Sequence, residues 1–170
     1  MKKEFIPTYK IKSIFDVDFL SIKNKGYQYV LVDLDNTLAS PYVYEPDERV
    51  YNLANKLKQL GLEMIILSNN HEERVNKFAK PLEVKCFYDL KKPSTKRVKK
   101  HLSDNNVDIS KAIWFGDQVM TDVFLANQLG IEVVLVDPLT IKDEPITFIP
   151  RLLDKHYRKI INKKNLTKEL

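Results

Sequence analysis

Short runs of β-branched and aromatic residues at 27–32, 63–67, 84–88, 112–115 and 132–136 alternate with stretches of helical periodicity, and nothing else in the chain restricts its fold so strongly. Each run is too short for an ordinary helix and is largely apolar, as a strand covered on both faces must be. Between the runs, Val50, Leu53, Ala54, Leu57 and Leu60 keep the spacing of one helix face, and Gly61 supplies the stop. Asn70 with Glu73 three residues on predicts a capping box, opening a helix that turns Val75, Phe78 and Ala79 inward. Pro93 suits the first position of a further helix, and another is predicted from about Val119 to Leu129, ending at Gly130. The expected fold is therefore α/β, a central parallel sheet with helices on both faces. In such sheets the residues that do chemistry gather beyond the carboxyl ends of the strands.

No repeat, low-complexity tract or Gly/Ser-rich linker divides the 170 residues, so one domain over 1–170 is expected. With 44% hydrophobic and 30% charged residues the composition is that of a globular chain, not a disordered one. Cys86, the only cysteine, lies in an apolar run, which rules out an internal disulfide and predicts a buried thiol. Pro7 interrupts the apolar start of the chain before it reaches signal-peptide length, and no run approaches the roughly 18 residues that span a bilayer. The cytoplasm is the expected setting.

Read strand by strand, the polar residues fall where the topology wants them. The run at 27–32 leads into Asp33-Leu34-Asp35-Asn36-Thr37-Leu38. In extended chain, residues two apart face one side, about 6 to 7 Å apart, so Asp33 and Asp35 address one spot. Adjacent carboxylates repel, which makes sense where a cation sits or where one of them carries a proton for acid/base work. A solvated Asp/Asn turn is the plain alternative for this segment taken alone. The run at 63–67 ends in Ser68-Asn69-Asn70, a hydroxyl and two amides opening onto a helix start, where free N–H groups favour an anion. Helix capping would account for the same residues. Beyond 84–88 come Lys91-Lys92-Pro93, and of the two lysines Lys92, fixed by its proline, is the one expected in the crevice. The run at 112–115 is followed by Gly116-Asp117-Gln118 and Thr121-Asp122, placing Asp117 in the loop and Asp122 in the first helical turn. Carboxylates, a hydroxyl, a lysine and a helix N-terminus at one sheet edge fit metal-assisted phosphoryl transfer.

In this order, each after a strand, Asp33-Leu34-Asp35-Asn36-Thr37, Ser68, Lys92 and Gly116-Asp117 with Asp122 resemble the four signature motifs of the haloacid dehalogenase (HAD) superfamily. The resemblance implies a three-layer Rossmann-like fold and a phosphatase, since Asp35 at this spacing separates HAD phosphatases from dehalogenases. It implies Asp33 as nucleophile, Asp35 as acid and base, and Ser68, Asn69 and Lys92 on the phosphoryl group. Mg2+ would be held by Asp33, Asp117, the backbone carbonyl of Asp35 and, directly or at one remove, Asp122. The gaps between motifs leave no room for a cap domain, so an open site is expected. More narrowly, the same motifs with Asn69-Asn70, Pro93 and Gln118 resemble the bacterial YqeG branch of subclass IIIA, which is similar to phosphatidylglycerophosphate phosphatases. The substrate implied is a phosphorylated small molecule or a phospholipid head group, with a soluble nucleotide or sugar phosphate as the alternative. A receiver-type signalling domain would carry its phosphorylated Asp after the 84–88 strand, where only Asp89 stands, and has no need of Asp35.

Residues 151–170 carry seven Lys and Arg against Asp154 and Glu169, which is the whole formal surplus of +5. A surplus so local points to an anionic partner, a membrane surface or nucleic acid, and the phosphatase resemblance disfavours the latter. Ile149, Leu152, Leu153, Tyr157, Ile160 and Ile161 recur at helical spacing from about Thr147, interleaved with Arg151, Lys155, Arg158 and Lys159. The expectation is a helix whose first turns, 149–153, cover the sheet and whose remainder rests on anionic lipid as a basic amphipathic tail. A chain cut after Lys155 should then lose vesicle binding yet still hydrolyse soluble phosphomonoesters.

Overall fold

Six parallel strands form one sheet in the order β1-β6-β5-β2-β3-β4. They are β1 Tyr9–Lys10, β2 Tyr29–Val32, β3 Glu63–Leu67, β4 Lys85–Phe87, β5 Ala112–Gly116 and β6 Glu132–Leu135. The computed structural model of the chain describes residues 2–140, 148–164, 166–168 and 170, and of 148–152 the backbone alone. Helices α1 (Phe19–Asn24), α2 (Glu48–Gln59), α3 (Glu72–Ala79), α4 (Thr95–Asp104), α5 (Phe124–Leu129) and α6 (Phe148–Lys164) cover the sheet.

Strand periodicity sorts the core into two layers. Val30, Val32, Met64, Ile66, Ile113 and Phe115 pack with Phe19 of α1, Leu57 of α2 and Phe78 of α3. Their alternates Leu31, Ile65, Leu67, Trp114, Val133 and Leu135 pack on the other face with Leu102 of α4, Leu125 of α5 and Ile161 of α6. The result is the expected three-layer, Rossmann-like arrangement. After β2 the chain builds outward through β3 and β4, then crosses back to place β5 on the other side of β2. The loops leaving β2 and β5 therefore diverge, and the crevice between them is where a doubly wound sheet binds its ligand. Among the described residues no second body of structure interrupts the passage from β2 to α2 or from α3 to β4.

Several local expectations need correction. The N-terminal segment adds an edge strand, β1, paired with β6, and the helix α1; two strand residues are too few to leave a periodicity. The capping box at Asn70 does not form. The helix starts at Glu72 after His71, which makes no side-chain cap, because Asn70 turns its amide to Asp35. Pro93 lies outside α4, whose first residue is Thr95. The Cys86 thiol is only partly buried, because β4 is an edge strand, and it donates to Asn76 Oδ1 at 3.3 Å. Residues 119–129 divide into a π-helical turn, Val119–Val123, and α5.

The largest correction concerns α6. Thr147 and the side chains of Ile149, Arg151 and Leu152 lie outside the described residues. From Leu153 onward the apolar residues take roles other than those expected. Leu153, assigned to the sheet, is 44% exposed, whereas Ile161, assigned to lipid, is 1% exposed in the core. Tyr157 stacks on Phe5 with ring centroids 4.9 Å apart. Tyr157 and Ile161 are consumed by folding, Ile160 is half-buried, and the basic residues Lys155 and Lys159 stay exposed. No helix among the described residues is long and apolar enough to cross a membrane.

Candidate active site

Beyond Val32 the backbone N–H of Asp33 still donates to Phe115 O, so Asp33 stands at the end of the sheet register between β2 and β5. Asn36 then adopts φ 64, a left-handed conformation that Asn tolerates, and its N–H donates to Ala39 O, closing a tight turn. That turn keeps Asp33 inside, while Asp35 retains a side-chain exposure of 24%.

Lys92 reaches into the crevice with 2% of its side chain exposed. Its Nζ donates to Asp33 Oδ1 at 2.5 Å, Asp122 Oδ1 at 2.7 Å and Leu67 O at 3.0 Å, which uses all three ammonium donors. Lys91 remains exposed. Burial alone would lower the Lys92 pKa, but Asp122 and Asp33 outweigh it and hold the ammonium above its ordinary value. The side chain of Asn69 is bonded to the main chain of Lys92 in both directions, accepting from its N–H at 2.6 Å and donating to its carbonyl at 3.0 Å. Asn69 thus presents the lysine, with neither amide atom turned free into the crevice. Ser68 is buried, and its Oγ accepts from Asn70 N at 3.0 Å.

Asp33, Asp117 and Asp122 are all buried and each offers a carboxylate oxygen within 4.8 Å of the others. Asp122 is committed on both oxygens, Oδ1 to Lys92 and Oδ2 to Gln118 N and Thr121 Oγ1. Asp117 Oδ1 is buried with no hydrogen-bond partner among the described residues. Gly116 explains how the third carboxylate gets in: a Cβ there would stand 2.4 Å from Asp122 Cγ. Burial pushes Asp33 up to about 7, with Lys92 pulling down and Asp122 and Asp35 pushing further. Burial, then Asp33 and Asp122, hold Asp117 well above the usual carboxylate range. Three buried carboxylates, two of them on one ammonium and the third without contact to it, carry more negative charge than they can keep, so the cluster calls for a proton or a cation. A hard divalent ion with oxygen ligands fits this donor set, and the orphaned Asp117 Oδ1 is the atom it would satisfy.

Asp35 lies outside that triad. Its carboxylate accepts from Asn70 Nδ2 at 3.2 Å and from Arg74 Nη2 at 3.1 Å, and among the described residues it shares no hydrogen-bond partner with Asp33. Arg74 is 3% exposed, lies between the rings of Tyr44 and Phe78 and also donates to Ser40 O. Asp89, the acceptor a receiver would need, faces His71 at the surface instead.

Arg74, Asp154 and Arg158 escape the sequence reading. Each had a signal: Arg74 is four residues before Phe78 on the inward face of α3, and Asp154, Tyr157, Arg158 and Ile161 share one face of α6. Charged residues on an apolar stripe are buried ion partners more often than their type alone implies.

Residues 1–140 match the family described as mitochondrial PGP phosphatase. The probable phosphatase YqeG of Bacillus subtilis (strain 168) is 29% identical over 164 residues, 96% of this chain and 95% of that one. Phosphatidylglycerophosphate phosphatase 1, chloroplastic/mitochondrial, of Arabidopsis thaliana is 28% identical over 152 residues, 82% of this chain and 43% of its own length. Among solved structures, a HAD-like family hydrolase from Porphyromonas gingivalis superposes with a TM-score of 0.56 over 75% of this chain and 98% of that one, and at 12% identity the likeness is one of fold.

Proposed function

The chain belongs to the mitochondrial PGP phosphatase family and is a phosphatase of the HAD type, and from that premise we propose that it hydrolyses a phosphomonoester with Mg2+ through a phosphate carried on Asp33. The carrying observation is the pairing of two unlike carboxylates two residues apart. Asp33 is buried against Lys92 inside the triad, while Asp35 is held at the rim by Arg74 and Asn70.

In this reading an Asp33 oxygen attacks phosphorus in line, the bond from phosphorus to the substrate oxygen breaks, and Asp35 gives that oxygen its proton. Asp35 then takes a proton from water, whose oxygen attacks the same phosphorus and frees Asp33 as carboxylate with release of inorganic phosphate. Lys92 offsets the charge of the transferring group, and Ser68, with the N–H groups opening α3, orients its oxygens. Asn69 acts by setting the Lys92 backbone. Asp33 and Asp117, with the Asp35 carbonyl, would hold Mg2+, and Asp122 keeps Lys92 and the 118–121 loop in place. The ion supplies charge stabilisation to phosphate oxygens when bound.

A crevice without a cap domain would accept a phosphate carried on a large or surface-bound molecule, and the substrate we favour is phosphatidylglycerophosphate. The setting proposed is cytoplasmic, with peripheral contact to anionic lipid through the exposed Leu153, Lys155 and Lys159 of α6. Phosphate release with Mg2+ from phosphatidylglycerophosphate in mixed micelles, beside nucleotide and sugar monophosphates, is the test. A kcat/KM at least about tenfold higher for the lipid, a difference of roughly 1.4 kcal/mol in transition-state binding, supports the reading. A soluble monophosphate preferred by that margin would replace the substrate and leave the chemistry standing.

A further inference from the structure

We propose that Arg158 and Asp154 of α6 are positioning residues for the metal site, setting the peptide that aims the Asp117 carboxylate. Arg158 Nη2 donates to the Asp117 carbonyl and, at 2.8 Å, to Val136 O. Its Nη1 donates to Asp137 Oδ1 at 3.1 Å and its Nε to Asp154 Oδ2 at 2.8 Å. The other oxygen of Asp154 accepts from the N–H of Val119. Two side chains one helical turn apart therefore hold the 117–119 segment at both ends, by the carbonyl of its first residue and the N–H of its last.

This segment needs such a hold. It lies past the end of β5, where the last ladder bond is Val136 N to Gly116 O, so pairing with β6 stops one residue before Asp117. Among the described residues Asp117 Oδ1 has no hydrogen-bond partner that could orient the carboxylate. Its direction is thus inherited from the backbone, and α6 fixes that backbone. Arg158, with 14% of its side chain exposed, has every nitrogen of its guanidinium engaged in this task. A merely packed helix would have needed Tyr157 and Ile161 but neither ion.

The inference rests on the metal reading above, and the experiment separates the two. Mg2+ binding is measured calorimetrically, and by the Mg2+-induced rise in unfolding temperature, for the full chain and for Arg158→Ala, Arg158→Lys and Asp154→Asn. The wild type should bind. Arg158→Ala should bind roughly tenfold more weakly, the usual scale for removing an outer partner of a metal ligand. Arg158→Lys, which keeps the charge but cannot serve two carbonyls and two carboxylates, should fall between. A lower unfolding temperature with unchanged Mg2+ affinity would reduce both residues to structural ones and overturn the inference alone. If Arg158→Ala does not fold, Arg158→Lys and Asp154→Asn decide by the same criterion. A wild type that takes up no Mg2+ overturns both the metal reading and the inference built on it.

Discussion

Two ionic clusters meet at the loop after β5, one buried and one reaching the surface at Asp137, and they are built on opposite principles. Around Lys92 two carboxylates, Asp33 and Asp122, share one ammonium and Asp117 stands beside them without touching it, burial and mutual repulsion push Asp33 and Asp117 upward, and Asp117 Oδ1 has no hydrogen-bond partner among the described residues. Around Arg158 the donors are matched to Asp154, Asp137 and two carbonyls. Burial still holds Asp154 above the usual carboxylate range, but Arg158 opposes it directly. A cluster left short of positive charge is arranged to receive something, whereas a satisfied one holds its surroundings still. Buried charge alone does not mark a site; unmet charge does.

Asp33→Asn breaks the comparison most severely. It removes the nucleophile, so kcat should fall by at least about a thousandfold. It also relieves a cluster with excess negative charge, so the metal-free variant should unfold no earlier than the wild type. Paired assays of p-nitrophenyl phosphate hydrolysis and thermal unfolding check both halves. A purified variant keeping a tenth of wild-type turnover would refute the role of Asp33. A variant that loses its fold would show that the cluster supports the structure more than it strains it.

Ending the chain after Lys155 attacks the satisfied cluster instead. The cut deletes Tyr157, Arg158 and Ile161, and with them the Phe5 stack, four Arg158 contacts and a core side chain. Burial of Ile161 alone is worth about 2 to 5 kcal/mol by comparison with other core truncations. Against a total stability of roughly 5 to 15 kcal/mol, the shortened chain should be largely unfolded or inactive toward soluble phosphomonoesters as well as lipid. This reverses the expectation drawn from the basic tail. Retained hydrolysis of p-nitrophenyl phosphate by a folded shortened chain would restore the picture of α6 as a detachable membrane contact.

The different legibility of the two clusters has a physical origin. Asp33 and Asp117 stand at the ends of apolar runs and Lys92 and Asp122 a few residues beyond them, because a parallel sheet delivers its carboxyl ends to one edge, and strand period and loop position suffice to bring them together. Arg158 and Asp154 come from a helix whose face had to be chosen. The choice between solvent and core turned on Tyr157 and Ile161 meeting Phe5 and the sheet, a long-range fact that periodicity does not contain. Asn70 shows a second limit. Its spacing to Glu73 fits a cap, but the carboxylate of Asp35 lies within 3.2 Å and takes the amide instead. The close approach of Asp122 to Gly116 likewise appears only in three dimensions, although the glycine itself was visible as part of a motif.

The smallest expected effect sharpens the comparison through pH. A carboxyl group whose pKa is about 7 in the folded chain, against about 4 when unfolded, binds more protons folded than unfolded between those values. Its stabilising share is fully present below about pH 4 and is lost as pH rises through about 7. Asp117, also raised, adds in the same sense. The metal-free protein should therefore lose stability from this cluster between pH 5 and pH 8. Mg2+ competes with those protons for the same oxygens. A fixed millimolar Mg2+ concentration should consequently raise the unfolding temperature by only about 1 °C at pH 5 and by several degrees at pH 8, following the mass-action gain of a bound ion. The Arg158 cluster predicts no such Mg2+ effect, because Arg158 and the Val119 N–H already occupy both Asp154 oxygens, although burial raises Asp154 in the same sense as Asp33. Thermal unfolding of wild type and Asp117→Asn at both pH values, with and without Mg2+, reads this directly. The variant should show a smaller Mg2+ shift at pH 8, and an equal shift in both proteins would place the ion away from Asp117.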